Sequence, residues 1–265
     1  MRERVLLTGA AGNLGTLLRS RLARQDRLLR LVDVAAIAEP EPGENVEVSQ
    51  ASLSDLDAMR AACTGVDAVI HFGGLSTEHS WEKILESNIH GTYVVFEAAR
   101  QAGVPRVIFA STNHAVGFRP HDGTEASDYL YPRPDTYYGV SKATGEAIGS
   151  LYHDRYGLDV VCIRIGTVNS GPRTPRQLAT WLSPDDCARL VDAALIAPSP
   201  GFRLVWGVSD NTRRWFSLDE AQSLGYQSHD DAEQHAPQAR RGEPHALDDT
   251  YLGGAFCGSE LDKEG

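Results

Sequence analysis

The run Val5-Leu6-Leu7-Thr8-Gly9-Ala10-Ala11-Gly12-Asn13-Leu14-Gly15 decides the fold. Three apolar residues read as a short strand, the glycines as a turn, and Thr16 to Ala23 as a helix. A strand, a glycine-rich turn and a helix in that order form a cradle for the phosphates of a dinucleotide. Gly9 allows the tight turn, and Gly12 lets backbone approach the pyrophosphate. Gly15 lets the helix pack closely on the strand, so that the helix N-terminus, with Asn13 and Leu14, faces the negative charge. The spacing is G-x-x-G-x-x-G rather than G-x-G-x-x-G, which points to one branch of dinucleotide-binding folds.

Outward from this motif, apolar runs of strand length alternate with helical stretches. Strands are expected at Val5–Leu7, Leu29–Val32, Val46–Val48, Ala68–Phe72, Val107–Ala110 and Val160–Ile165, with helices near 16–24, 54–63, 80–103 and 137–156. A helix from Pro184 to Ile196 and a strand from Phe202 to Trp206 extend the pattern. Strongly apolar strands alternating with helices predict an α/β fold, a Rossmann-type doubly wound parallel sheet. After Gly166 the regularity loosens. We therefore divide the chain into a core over 1–167 and a region over 168–265 that supplies substrate-side segments, the last sheet elements and a polar tail. That tail, 236–265, carries a Gly-Gly-Ala-Phe island and reads as a frayed end or as an arm on a neighbouring subunit.

Composition narrows the partners. The chain has 265 residues, a formal net charge of -11 and a pI near 5.2, which argues against nucleic acid or an anionic membrane. No apolar run approaches membrane-spanning length. The first motif starts almost at Met1 and the four cysteines show no metal-type spacing, so a cytoplasmic protein with reduced thiols and no metal is expected. Only three of the 25 basic residues are lysine: Lys83, Lys142 and Lys263.

The second strand ends Leu31-Val32-Asp33. An acid there can accept both ribose hydroxyls of an adenosine and would repel a 2′-phosphate. No arginine follows in 34–38, so NAD is expected over NADP. Further on, Tyr138-Gly-Val-Ser-Lys142 places a phenol and an ammonium four residues apart on one helix face. A phenol with a pKa of about 10 is a poor base at neutral pH, and a neighbouring lysine favours the phenolate. A chain that otherwise chooses arginine keeps lysine here, where a broad guanidinium fork would not serve.

With these motifs the chain resembles the extended branch of the short-chain dehydrogenase/reductase superfamily. The resemblance covers most of the chain, through the glycine motif, Asp33, Asn88 and the Tyr138/Lys142 pair. It implies a catalytic hydroxyl near the end of the fifth strand, where Ser111-Thr112-Asn113-His114 stands, and register favours Thr112 over Ser111. It also assigns Ser52 and Leu53 to the adenine end, though the family usually has Asp in place of Ser52, and Phe72, Gly73, Gly74, Asn88 and Ile165 to the cofactor. At finer grain, His71-Phe-Gly-Gly-Leu-Ser76, Ser111–Phe118, Ile165-Gly-Thr167 and Arg176–Trp181 look like the uronate dehydrogenases. Those enzymes oxidise the anomeric carbon of glucuronate or galacturonate with NAD and release an aldarolactone. The family often has Ser where Thr112 and Thr167 stand, and both keep the hydroxyl.

The resemblance implies Tyr138 as base, Thr112 at the reacting oxygen, and Lys142 supporting Tyr138 and holding the nicotinamide ribose. Asn113 and His114 would read ring hydroxyls, with Ser76 and Thr167 on the other side. The carboxylate calls for a bidentate arginine, Arg173 or Arg176, and family register favours Arg176. Relatives associate through long helices such as 80–103 and 137–156, so a homo-oligomer is expected. Two other readings stand beside this one: a nucleotide-sugar epimerase or dehydratase of the same superfamily, and a non-catalytic NAD-sensing regulator. The first usually needs a longer C-terminal region than the hundred or so residues after Gly166, and the second tends to lose the Tyr/Lys pair.

Overall fold

A computed structural model describes residues 3–259. The chain runs β1 (Glu3–Thr8), α1 (Asn13–Leu22), β2 (Arg27–Asp33), β3 (Val46–Gln50), α2 (Leu56–Cys63) and β4 (Ala68–His71). Next, α3 (Trp81–Ile84) passes through a π-helical turn (Leu85–His90) into α4 (Gly91–Gln101), followed by β5 (Arg106–Thr112), α5 (Tyr137–Tyr156) and β6 (Asp159–Ile165). The remainder is β7 (Thr167–Val168), α6 (Gln177–Thr180), β8 (Trp181–Leu182), α7 (Pro184–Ile196), β9 (Phe202–Gly207), α8 (Asp219–Ser223) and α9 (Ala236–Ala239). Seven strands form one parallel sheet in the order β3-β2-β1-β4-β5-β6-β9. β7 and β8 pair separately.

Alternation along each strand feeds two cores, one on each face of the sheet. Leu7, Ile70, Ile108 and Ile163 belong to one, and Leu6, Val69, Val107 and Cys162 to the other. The expected helix over 80–103 is present, but a π turn interrupts it around Asn88. The order reverses where β1 and β4 sit side by side, and the crevice outside their carboxyl ends is where such sheets bind ligands.

Helix α5 lies unusually close to the sheet. A Cβ on Gly145 would sit 2.3 Å from the Phe109 ring, and one on Gly149 would sit 2.9 Å from Val160. Beneath it, Glu146 takes both Arg164 Nε and Nη2 at 2.8 Å and accepts from Ser111 Oγ at 2.6 Å. Arg164 also donates to the carbonyls of Asp128 and Leu130. Among the described residues, the tail folds inward. Residues 250–253 run back along 117–121, with Leu252 N donating to Arg119 O and Gly253 N to Gly117 O, both at 2.9 Å. The Gly-Gly-Ala-Phe island is thus an arm folded on its own subunit, where backbone pairing and side-chain contacts hold it; the expected stretch beyond 259 lies outside the described residues.

Asp128 is buried, and its carboxylate accepts the Trp206 amide. Burial raises its pKa to about 6. The folded state therefore holds this proton more tightly than the unfolded chain, and stability falls as pH rises through the window from about 4 to about 6. We expect Asp128→Asn to flatten the pH dependence by on the order of 2 kcal/mol, read from urea midpoints at pH 4, 5, 6 and 7. An unchanged slope would move the dependence to another carboxylate.

Candidate active site

A cleft of about 500 Å³ opens along the carboxyl ends of β1, β2 and β4. Gly9, Gly12, Asn13, Leu14, Asp33, Ser52, Leu53, Phe72, Gly73 and Gly74 all line it, together with Val34, Ala35 and Glu86, which the sequence reading had not named. Gly9 holds φ at +74°, and a Cβ there would lie 2.6 Å from Gly73 N. Gly15 is packing: its Cβ would fall 2.4 Å from Gly9 O, so only glycine lets α1 approach. The N-terminus of α1 has no side-chain cap and no acid in its first turn, which leaves its positive end open to the cleft. Asp33 accepts Ala11 N at 3.0 Å and Ala35 N at 2.9 Å, which fixes its carboxylate beside the glycine turn. Volume, uncapped helix end and placed acid fit a dinucleotide with free ribose hydroxyls.

Asn88 stands one layer behind the cleft wall. Its Oδ1 accepts Leu75 N at 2.8 Å, and its Nδ2 donates to Leu75 O at 2.9 Å and Ser141 Oγ at 3.1 Å. The π turn aims this amide at the loop after β4, so Asn88 shapes the backbone of 74–76 and ties it to α5. Behind Gly73, His71 bridges Thr8 and Thr92 at 2.8 and 3.1 Å, and burial, helped by the Lys142 charge, pushes its pKa down to about 3. It is a neutral structural histidine.

The cleft continues into a smaller cavity of about 150 Å³ whose wall includes Ser76, Thr112, His114, Tyr138, Lys142 and Ile165. Tyr138 and Lys142 are brought there by the first turns of α5, whose N-cap Thr136 accepts Gly139 N. Glu78, from the loop after β4, adds a second cap by accepting the amides of Tyr137 and Tyr138 at 3.1 and 2.8 Å. Burial raises the Tyr138 phenol to about 12, opposed by a hydrogen bond with Thr112, while burial lowers Lys142 to about 8. The expected influence of the lysine on the phenol is outweighed here. Lys142 Nζ donates to Ala110 O at 2.8 Å and lies 5.7 Å from the Tyr138 ring centre, too far to offset the desolvation.

Three residues expected at the substrate lie outside this cavity wall. Asn113 is buried and donates to Leu252 O at 2.8 Å. Thr167 Oγ1 meets Thr180 Oγ1 at 3.2 Å. Arg176 also donates to Leu252 O, lies 3.9 Å from Asp248 Oδ1 and stacks over Trp215, with its buried Nε left without a hydrogen-bond partner. Burial lowers its pKa. Arg173 is exposed. Sequence reasoning also missed Phe256, whose ring stacks on His114 with centres 4.0 Å apart, and Asp135, which accepts His114 Nδ1 at 2.7 Å. Asp135 was legible only as an acid beside a helix start; Phe256, more than a hundred positions from His114, gave no local signal.

The family model described as the NAD dependent epimerase/dehydratase family matches residues 5–221. The chain is 46% identical over 259 residues to a uronate dehydrogenase of Pseudomonas putida, covering 96% of each. A crystal structure of a glucuronic acid dehydrogenase from Chromohalobacter salexigens superposes with a TM-score of 0.92 at 36% identity, covering 100% of both chains. A variant uronate dehydrogenase of Agrobacterium tumefaciens complexed with NAD gives 0.90 at 37% identity, covering 97% of each.

Asp33→Asn keeps an acceptor oxygen for one of the two backbone amides, loses the other and removes the charge. Titrated by quenching of protein fluorescence, it should bind NAD about fivefold more weakly and gain affinity for NADP. An unchanged NAD-to-NADP ratio would place the adenosine ribose away from Asp33.

Proposed function

The chain belongs to the NAD dependent epimerase/dehydratase family and within it to the uronate dehydrogenases, and from that premise we propose how Tyr138, Thr112 and Lys142 serve the reaction. The enzyme oxidises a hexuronate, D-glucuronate or D-galacturonate, at its anomeric carbon with NAD, giving the aldarolactone. The observation that carries the assignment of roles is the meeting of these three side chains at the inner end of a dinucleotide cleft.

The glycine turn, the α1 N-terminus and Asp33 would hold NAD, with Lys142 and Ile165 at its nicotinamide end. Bound NAD supplies the acceptor for the hydride that leaves C1. Tyr138, as phenolate, takes the proton of the anomeric hydroxyl, and the electron pair of that O–H bond becomes the carbonyl of the lactone. Thr112, within hydrogen-bond reach of the phenol, shares the same oxygen and keeps it aligned. Lys142 brings a positive charge to a site where burial otherwise opposes the phenolate.

His114 and Ser76 line the space left for the sugar ring and would bind its hydroxyls. For the carboxylate we assign Arg176: it is a buried guanidinium whose Nε makes no hydrogen bond, held near Asp248 and the Leu252 carbonyl. Asn113 and Thr167 would then act through backbone and neighbouring hydroxyls, Asn113 by steadying Leu252. The small inner cavity, of about 150 Å³, suits one sugar ring rather than a second nucleotide, against the nucleotide-sugar reading. Exposed Trp81 and Tyr137, in edge contact at the adjoining ends of α3 and α5, support a homo-oligomer built on these helices. No helix among the described residues is long and apolar enough to cross a membrane, and their cysteines are free thiols, which supports a cytoplasmic setting.

NADH appearance with glucuronate and galacturonate, set against glucose and a UDP-sugar, tests the reading. Tyr138→Phe should lower kcat by at least about a thousandfold with NAD binding retained. Arg176→Ala should raise KM for uronate about a hundredfold. An unchanged KM would assign the carboxylate to another group.

The base must be deprotonated, and below its pKa the phenolate fraction grows tenfold per pH unit. kcat/KM should therefore climb from pH 6 and level off near 8, where Lys142 loses its charge. A fall over that range would contradict a phenolate base.

A further inference from the structure

Asp135 is a buried carboxylate that the mechanism does not use. Its side chain is fully buried, 0% exposed, and a carboxylate removed from water is strongly unfavourable unless something repays the desolvation. The fold has been shaped around it. A Cβ on Gly117 would lie 1.9 Å from Asp135 Oδ2, one on Gly253 would lie 2.0 Å from the same oxygen, and one on Gly139 would lie 3.1 Å from Oδ1. Three separate segments — the turn after β5, the returning arm and helix α5 — each present a glycine to this one carboxylate.

Its short contact is with His114. Oδ2 receives Nδ1 at 2.7 Å, while Oδ1 accepts the more ordinary Thr136 hydroxyl at 3.1 Å. An ionised carboxylate only accepts, so the imidazole must carry its proton on Nδ1. The ring is also clamped in its plane by Phe256, stacked at 26°, and it forms part of the wall of the inner cavity within 6.0 Å of the Tyr138 ring centre. With Nδ1 committed, Nε2 is left with a lone pair for the cavity.

We propose that Asp135 is a positioning residue that fixes His114 as the Nδ1–H tautomer, so that Nε2 accepts a hydrogen bond from a ring hydroxyl of the sugar. The inference rests on the uronate reading for its substrate but not for its tautomer. It explains why a carboxylate is buried where Gly117 and Gly253 leave no room for a Cβ. It also gives specificity a direction: a histidine acceptor selects a hydroxyl that can donate, and it rejects a carbonyl or ether oxygen at that position.

Long-range proton–nitrogen spectra of the histidine-labelled protein, with His114→Gln used for assignment, read the tautomer directly. The wild type should show a protonated Nδ1 and an unprotonated Nε2 for His114, and the reverse pattern overturns the proposal whether or not uronates are turned over. Asp135→Asn presents an amide that can donate as well as accept, so the Nε2–H form should become populated. In kinetics, Asp135→Asn should lower kcat/KM for uronate about tenfold, with NAD affinity within twofold of wild type. His114→Ala should show a similar loss, and adding Asp135→Asn to it should change kcat/KM by less than twofold. An equal tenfold loss in both backgrounds would show that Asp135 acts by packing the arm rather than through His114. Wild-type silence on uronates would instead remove the substrate reading, with the tautomer result standing by itself. Should Asp135→Asn fail to fold, the wild-type spectrum still decides the tautomer.

Discussion

The pair between Glu146 and Arg164 is the constraint on which the catalytic geometry depends. Both side chains are almost wholly buried, and each is satisfied only by the other and by neighbours from fixed strands and loops. Removing one partner of such a pair strands a charge and typically destabilises by about 3–5 kcal/mol, so the arrangement is close to all-or-none. Tyr138, Lys142 and Glu146 follow one another at four-residue spacing, which puts them along one face of α5. Fixing the third member against β6 and Ser111 fixes the first two against the ends of β5 and β6. Gly145 and Gly149 then set the depth of the helix over the sheet.

Dryness is the other side of this rigidity. Burial moves Tyr138, Lys142 and His71 all toward their neutral forms. Charges that enter so buried a site act at short range in a poorly screening medium. The dinucleotide cleft differs: it is wider, and its wall carries an uncapped helix end and two acids, Asp33 and Glu86. Binding and chemistry thus occupy two connected spaces with different dielectric character.

What the sequence made legible follows the same division. The alternation of strands and helices, the glycine turn and Asp33 depend on local pattern, and the observed elements lie within a few residues of the expected bounds. Tyr138 and Lys142 were readable because helical spacing alone puts them together. Asn88, Asn113 and Arg176 could be picked out by resemblance, yet the backbone groups they bind, at Leu75 and Leu252, could not be read from the sequence. The arm over 250–257 was illegible because it has no periodicity and pairs with residues more than a hundred positions away. Asp135 was hidden for a related reason, since the three glycines that make room for it come from three parts of the chain.

The shared carbonyl of Leu252 has a consequence for the order in which the molecule can be finished. Asn113 and Arg176 converge on it from elements that are complete long before residue 252 is synthesised. On a growing chain, the strands and helices that bound the dinucleotide cleft already have their neighbours, while Asn113 and Arg176 still lack their shared acceptor. The entropy of closing so long a loop is offset by the backbone bonds to 117–121, by Phe256 on His114 and by the two donors that meet at Leu252 O. The dinucleotide cleft is thus bounded by elements that precede the arm in the chain, whereas Asn113 and Arg176 depend on the last described segment for their shared acceptor.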